Sequence, residues 1–302
     1  MSTPIPVESL DLSMRRSVEI VSIEGNRAIV RDFYHAGTFW IAAIPLNGVE
    51  AILGQAYNFS TVRKRKKDGQ VEVVRDKRGN PKPRFSFINH VQSRFKLKDG
   101  FKVQLFPSDD ISQKPAAEID DFVYSVEAVG RPGDLFDFRN GLLGNLMCAH
   151  RFLSIEEVVF ERVVILGYYV RESPPLRLSD DEKQKILLRS LQRSDRAGLT
   201  EPYYLYRPCG TNNCTSNPFQ IVDQSVKYTW RQWLGSLIYR LPLNPRVYLR
   251  VRGLDSDPSY FHLLRDEFGT LIGSPETKAR KRAVVRAEIQ KRRKAKNHDA
   301  TA

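Results

Sequence analysis

The chain has little cysteine. Its 302 residues include three, Cys148, Cys209 and Cys214. So few, and an odd number, build no disulfide framework, and none stands in zinc-ligand spacing. Such usage fits a reducing compartment. Long apolar runs are missing too. The longest, around residues 163–170, is far short of the roughly 20 residues that a bilayer-crossing helix needs. The first 21 residues hold no apolar stretch between basic residues and a small-residue cleavage site, so no secretory signal is expected. The expected setting is the cytoplasm, at most peripheral to a membrane. Phosphate-loop, GxGxxG, GxSxG and HExxH signatures are all absent, and no cofactor is expected. The paired acids Asp109-Asp110 and Asp120-Asp121 read as solvated loop residues, so no metal site is expected either.

What is present is ordinary in composition and uneven in charge. Apolar residues make up 41% and charged residues 27%, as in a globular protein with a sizeable core. The net charge is +13. Residues 274–302 hold ten Lys/Arg and three Asp/Glu, a net of +7, so more than half the excess sits in the last 29 residues. Such a segment suits an acidic surface, either nucleic acid or an anionic membrane.

Patterning predicts a strand-rich chain. Residues 18–30 alternate around Glu24-Gly25-Asn26 and read as a hairpin. A strand is expected at 38–44, a short helix at 49–57 and a charged, projecting hairpin at 63–84. Residues 85–97 alternate as a strand, with His90, Gln92 and Arg94 on one side. Residues 101–106 are expected to pair with it. Further strands are expected at 122–129 and 158–170. Ser179 and Glu182 form a capping box that opens a helix. A helix at 228–239 carries Trp230, Trp233, Leu234, Leu237 and Ile238 on one apolar stripe, and its tryptophans are expected to be core. A helix is expected at 260–268, and a basic helix closes the chain from residue 275 to 296.

The segment Thr211-Asn212-Asn213-Cys214-Thr215-Ser216-Asn217 stands just before a helical stretch at 218–226. Helix N-termini carry unpaired N–H groups and partial positive charge, which favour a thiolate. Pro218 is tolerated only in a first turn, so the helix should begin at about Cys214 or later. A nucleophilic cysteine needs a base, usually histidine. His298 lies in the tail, His262 in a helix, and His35 among aromatics. His150 is too close to Cys148 to form a dyad with it. His90 is better placed, on a polar strand face, though His150 stays open.

Several segments occur in an order that resembles the Lnb N-terminal periplasmic domain family: AIVRDFYHAGTF, SFINHVQSRF, VYSVEA, NGLLG and YYLYRPCGTNNCTSN. The most specific are VYSVEA and TNNCTSN, and the resemblance spans roughly residues 27–245. It implies an α+β, circularly permuted papain-like fold with an antiparallel sheet packed against helices. It also implies Cys214 as nucleophile and His90 as base, with histidine preceding cysteine. The chain departs from the family in that no signal or membrane segment is expected in it, and in having Gly130-Arg131-Pro132 after its SVEA segment. Backbone N–H groups at or after Cys214 would hold an oxyanion, with help from Asn213; Glu127 and Gln92 are candidates for a third member. The expected organisation is a lead and first strand at 1–26, the cysteine enzyme domain at 27–245, an extension at 246–273 packed on it, and a basic tail at 274–302. The expected function is acyl transfer or hydrolysis on an acyl-bearing lipid or peptide. The alternatives are a cysteine peptidase or amidase on the same fold, and a non-enzymatic module that binds nucleic acid or anionic membrane through 274–302.

Overall fold

Twelve of the fourteen strands among the described residues join one sheet. The computed structural model describes residues 6–58, 62–64, 71–77, 82, 89–108, 110–131, 138–207, 211–237, 244–257, 259–260 and 262–299. Strand β1 (Glu19–Glu24) turns at Gly25, where φ is +58°, into β2 (Arg27–His35). β3 (Thr38–Pro45) and β4 (Val49–Asn58) follow, then the short pair β5 (Val62–Lys64) and β6 (Val71–Val73). β7 (Asn89–Leu97), β8 (Val103–Phe106), β9 (Ala117–Ile119) and β10 (Asp121–Val129) come next. Helix α1 (Phe138–Leu143) leads to β11 (Leu146–Ser154). Helix α2 (Ile155–Val158) runs on into a π-helix, Val159–Ile165, ahead of β12 (Arg171–Pro175). Then come α3 (Asp180–Ala197), β13 (Pro202–Tyr203), α4 (Ser216–Ser225), α5 (Trp230–Ser236) and α6 (Pro245–Val251). β14 (His262–Leu263), α7 (Leu264–Glu267), α8 (Gly269–Gly273) and α9 (Pro275–Asp299) close the chain.

Twelve strands form one sheet in the order β14-β12-β4-β7-β10-β11-β2-β3-β8-β9, with β1 also on β2 and β13 also on β11. β11 runs parallel to β2, and the other pairings are antiparallel. The fold is therefore mixed α/β with a large, mostly antiparallel sheet. One face carries Val91, Phe95, Phe122, Tyr124, Val126, Cys148 and Phe152, packed against Ile186, Leu187 and Leu191 of α3 and Phe219 and Val222 of α4. The other face holds Tyr57, Val123 and Leu153 under Ile155, Val158 and Val159. Every residue of the central strand β11 is buried. Among the described residues, no helix is long and apolar enough to cross a membrane.

The second face also buries charge. The Arg94 guanidinium is fully enclosed and donates to Asp121, to Glu172 at 2.9 Å and to Glu267 at 2.7 Å. Those acids come from β10, β12 and α7, so one cation ties residues late in the chain to the sheet centre. α9 is docked in a similar way near its start, where Arg280 donates to Glu157 at 2.6 and 2.7 Å and lies over the Phe160 ring.

Several elements match their sequence patterns. The β1–β2 hairpin, the strand at 38–45 and the basic closing helix are formed. The capping box is present in full, with Ser179 accepting from the Glu182 amide and Glu182 accepting from the Ser179 amide. Other expectations are corrected. Residues 49–57 are strand, not helix, because β4 is wedged between β7 and β12 and every backbone group needs a ladder partner. Val103–Phe106 pairs with β3 and β9 rather than with β7, whose two neighbours are β4 and β10. The β-branched run at 158–170 opens as helix, with Val158 and Val159 packed on the sheet from above. β11 was missed as a strand: buried on both faces, it has no alternation to read. In place of the helix expected at 260–268, His262–Leu263 is a two-residue strand and Leu264–Glu267 one helical turn; residue 261 lies outside the described residues. Trp230 is 68% and Trp233 55% exposed, so they are not core. The helix α5 packs instead through Gly235, where an added Cβ would lie 2.5 Å from the Val251 carbonyl oxygen. Of the charged hairpin, β5 and β6 pair as expected; its turns at 68–69 and 78–80, and residues 85–88, lie outside the described residues.

Candidate active site

The segment 211–217 is held almost entirely by its own side chains. Asn213 Oδ1 accepts from the amides of Thr215 and Ser216, both at 2.8 Å, and so caps the start of α4. Its Nδ2 donates to the Leu205 carbonyl at 2.8 Å. Ser216 Oγ accepts from the Asn213 amide, and Asn217 Nδ2 donates to Asn212 Oδ1. Asn212 in turn donates to Glu201, which pairs with Arg193. Each of these polar residues thus has a local task, and buried amides need such partners. Replacing Asn213 with alanine should cost about 2–4 kcal/mol, from the lost cap plus orphaned buried donors. Urea unfolding reads this directly, and a loss under about 1 kcal/mol would show the cap to be dispensable.

This brace delivers Cys214 to a break in the sheet. Pairing of β7 with β10 stops at Gln92 with Ser125, while β7 continues along β4 through Asn89. Into the gap comes the Cys214 thiol. Its Sγ lies 3.9 Å from the Asn89 carbonyl oxygen and 3.5 Å from the Tyr203 hydroxyl, which donates to it. The Val91 amide also points to it. The thiol therefore faces backbone groups on both sides of His90. It is 1% exposed. Burial pushes its pKa up, and the Tyr203 hydroxyl and Val91 amide offset that only in part. The expectation that the helix N-terminus would hold a thiolate is thus corrected: the Asn213 side-chain oxygen Oδ1 absorbs the Thr215 and Ser216 amides at the start of α4, and desolvation outweighs what remains.

His90 sits directly across from Tyr57 in the β4–β7 register, and the two rings stack with centroids 4.8 Å apart. Its Nε2 is 2.8 Å from Ser125 Oγ. Ser125 pairs with Gln92, so His90 is its diagonal neighbour on the same face, within side-chain reach. Burial lowers the His90 pKa to about 3; Arg162 adds to this and Glu127 opposes it. Thiol and imidazole are therefore both neutral at rest.

The proposed supporting residues have other work. Glu127 accepts from Arg15 and Arg151, each at 2.9 Å, and from Arg162, so its carboxylate stays ionised within a buried cluster. It acts on His90 through its field. The Gln92 amide is turned to Gln55, which donates to Glu172. Asn213 contributes the cap described above, and the Thr215 amide is occupied by it. The other histidines have their own partners: His150 Nδ1 is 2.7 Å from the Tyr124 hydroxyl, His35 Nδ1 is 2.8 Å from Ser154 Oγ, and His262 pairs with Glu267. Cys148 is buried with its pKa raised, chiefly by desolvation, and Cys209 lies outside the described residues.

A cleft of about 220 Å³ has Val91, whose amide points to the thiol, in its wall. Val91, Pro218, Phe219, Val222, Leu176 and Leu249 give it an apolar lining, and Arg171 and Glu172 are its charged members. Among the described residues, Glu172, His262 and Glu267 are the group placed closely enough to suggest a metal. The Arg94 guanidinium already donates to both of those carboxylates, so the cluster has its cation.

Sequence reasoning missed Ser125, Tyr57 and Tyr203. Strand alternation would have put Ser125 on the His90 face. Tyr57 was obscured by the helix expected over 49–57. Tyr203 gives no local signal, because only the return of β13 along β11 brings it to the thiol. Comparisons of the chain with protein-family models, with curated proteins and with solved structures found no match.

Proposed function

We propose that this chain is a cysteine-dependent acyl transferase or hydrolase, on a circularly permuted papain-like fold of the Lnb N-terminal periplasmic domain type. One observation carries the reading. The start of α4 places a thiol against the backbone of the strand that bears His90, at the point where that strand parts from its neighbour. Nucleophilic thiol chemistry needs an imidazole within reach of the sulfur, and this backbone contact, with Asn89 and Val91 flanking His90, supports His90 as that imidazole.

The steps follow from the neutral resting pair. The Cys214 S–H proton passes to His90 as Sγ attacks the carbonyl carbon of an ester or amide. With Ser125 held at Nε2, proton exchange falls to Nδ1. The Tyr203 hydroxyl, kept protonated by burial, is a donor for the developing oxyanion, together with the Cys214 amide. His90 returns its proton to the leaving group as the C–O or C–N bond breaks. An amine or water then attacks the thioester, restoring the thiol. Glu127 stabilises the transient imidazolium, and Arg162 opposes it. The apolar cleft accommodates the acyl group, and a peptidase or amidase would use the same steps on a peptide carbonyl.

The test is to incubate the intact protein with an acyl-directed thiol probe and map the adduct by peptide mass spectrometry. The adduct should fall on Cys214 and be absent from Cys214→Ala. Labelling that is unchanged in Cys214→Ala, or confined to Cys148 or Cys209, removes the reading.

A further inference from the structure

Helix α5 is built inside out. An amphipathic helix normally buries its large apolar residues. Here Gly235 is pressed against the Val251 backbone of α6, and Ser236 is buried, its carbonyl accepting from Arg252. The small residues thus make the intramolecular contact. Trp230, Trp233, Leu234 and Leu237, at helical spacing, stand outward with exposures of 68, 55, 49 and 55%. Val247 of the adjoining α6 is exposed as well. Exposed apolar stripes of this size mark interaction surfaces.

Charge identifies the partner. From residue 227 to 252 the chain carries six Lys/Arg and no Asp or Glu. Arg246 and Arg250 pair with Asp255, and Arg252 with Asp223; Lys227 and Arg231 are exposed beside the stripe in sequence, and the Arg231 guanidinium lies over the Trp230 ring. Tryptophan and leucine at the tip, with arginine and lysine beside them, match the boundary between headgroups and acyl chains. There, an apolar face sinks roughly 5–10 Å while the cations meet lipid phosphates. The chain's net charge of +13 adds long-range attraction to an anionic leaflet. Two leucines in the stripe disfavour single-stranded nucleic acid, which is gripped by aromatic stacking rather than by aliphatic side chains.

We infer that the outward face of α5, flanked by Lys227 and Arg231, docks this protein on the surface of an anionic bilayer. This surface is separate from the basic α9 and from the thiol. It also lies beside the cleft, because Pro245, Arg246 and Leu249 of α6 line that cavity while α6 supports α5. Docking there holds the cleft next to the lipid surface.

The experiment uses the full chain and sedimentation with phosphatidylcholine vesicles, with and without phosphatidylglycerol. Wild type should pellet with the anionic vesicles, and its tryptophan fluorescence should shift to the blue. Trp230→Ser combined with Trp233→Ser should weaken partitioning by about tenfold or more. Both side chains are exposed, so the circular dichroism and unfolding midpoint of the variant should stay unchanged. Truncation after Arg282 separates the tail, removing six of its ten Lys/Arg while keeping the Arg280–Glu157 pair: the truncated chain should keep the blue shift. Wild-type partitioning in the double variant, or loss of all vesicle binding on truncation, overturns the proposal. So does a wild type that ignores vesicles but binds an RNA oligonucleotide or self-associates through the stripe. Cys214→Ala should bind vesicles as wild type does, so the docking result stands or falls apart from the catalytic reading.

Discussion

Changing His90 to glutamine should slow acylation of Cys214 by about 10² to 10⁴, the range that a positioned general base supplies. The pH dependence should change as well, and it is the sharper observable. Burial, with Arg162 adding to it, holds His90 at about 3, and burial pushes the Cys214 thiol up. On the proposed mechanism, proton transfer in wild type therefore takes place within a neutral pair at the moment of attack. Its acylation rate should be level between about pH 5 and about pH 8, with no limb at the ordinary histidine value. In His90→Gln only the thiolate fraction reacts, so the rate should climb about tenfold per pH unit toward the raised thiol pKa. Acylation followed by intact mass over that range reads both slopes. A wild-type limb near the ordinary histidine value, or a level profile in the variant, would remove His90 as the base. The same shift has a stability consequence. The folded state refuses a proton that the unfolded chain accepts at the ordinary value of 6.5. The stabilisation from neutral His90 is thus complete above that pH and is lost as pH falls toward 3.

The site was legible in the sequence where chemistry is local and obscured where it depends on long-range pairing. TNNCTSN places a cysteine among helix-capping residues, and the fold uses Asn213 as such a cap. Alternation over 85–97 put His90, Gln92 and Arg94 on one face, and the buried polar network of His90–Ser125, Gln92–Gln55 and Arg94–Glu172 occupies that face. The state of the thiol was not legible. A helix start lowers a thiol pKa and burial raises it, and only packing sets which effect is larger. The two largest errors share another cause. Residues 49–57 and 146–154 are strands buried within the sheet, so their near-continuous apolar character imitates a helix or a featureless run. The tryptophans of α5 were misread for the opposite reason: their spacing is that of a core helix, but Gly235 and Ser236 make the contact instead.

Arg94→Leu should be the most destabilising single change outside the active-site loop, at about 3–5 kcal/mol near pH 8, because it strands buried carboxylates without their cation. Three acids converge on this guanidinium: Asp121, Glu172 and Glu267. They respond to it differently. Burial raises Asp121 to about 6 even with Arg94 beside it. For Glu267, burial is outweighed by hydrogen bonds from Arg94 and Lys96, which hold it at about 2. In wild type the Glu267 contribution is present above its ordinary value of 4.5 and is lost as pH falls toward 2. The Asp121 contribution runs the other way and is lost as pH rises from 3.8 through 6. Without Arg94, both carboxyls should titrate above their unfolded values, so protonation would rescue the variant. The deficit relative to wild type should therefore be widest near pH 8 and should shrink by half or more by about pH 4.5. Urea unfolding at the two pH values measures it. Adding Glu172→Gln to Arg94→Leu should recover part of the loss at pH 8, since one stranded charge is then gone. Arg94→Lys should fall between wild type and Arg94→Leu, keeping the charge but losing the planar fork that reaches three acids at once. Equal deficits at both pH values, with no recovery from Glu172→Gln, would show that Arg94 acts by filling space. Arg94 would then not be the cation that ties β12 and α7 to the sheet centre.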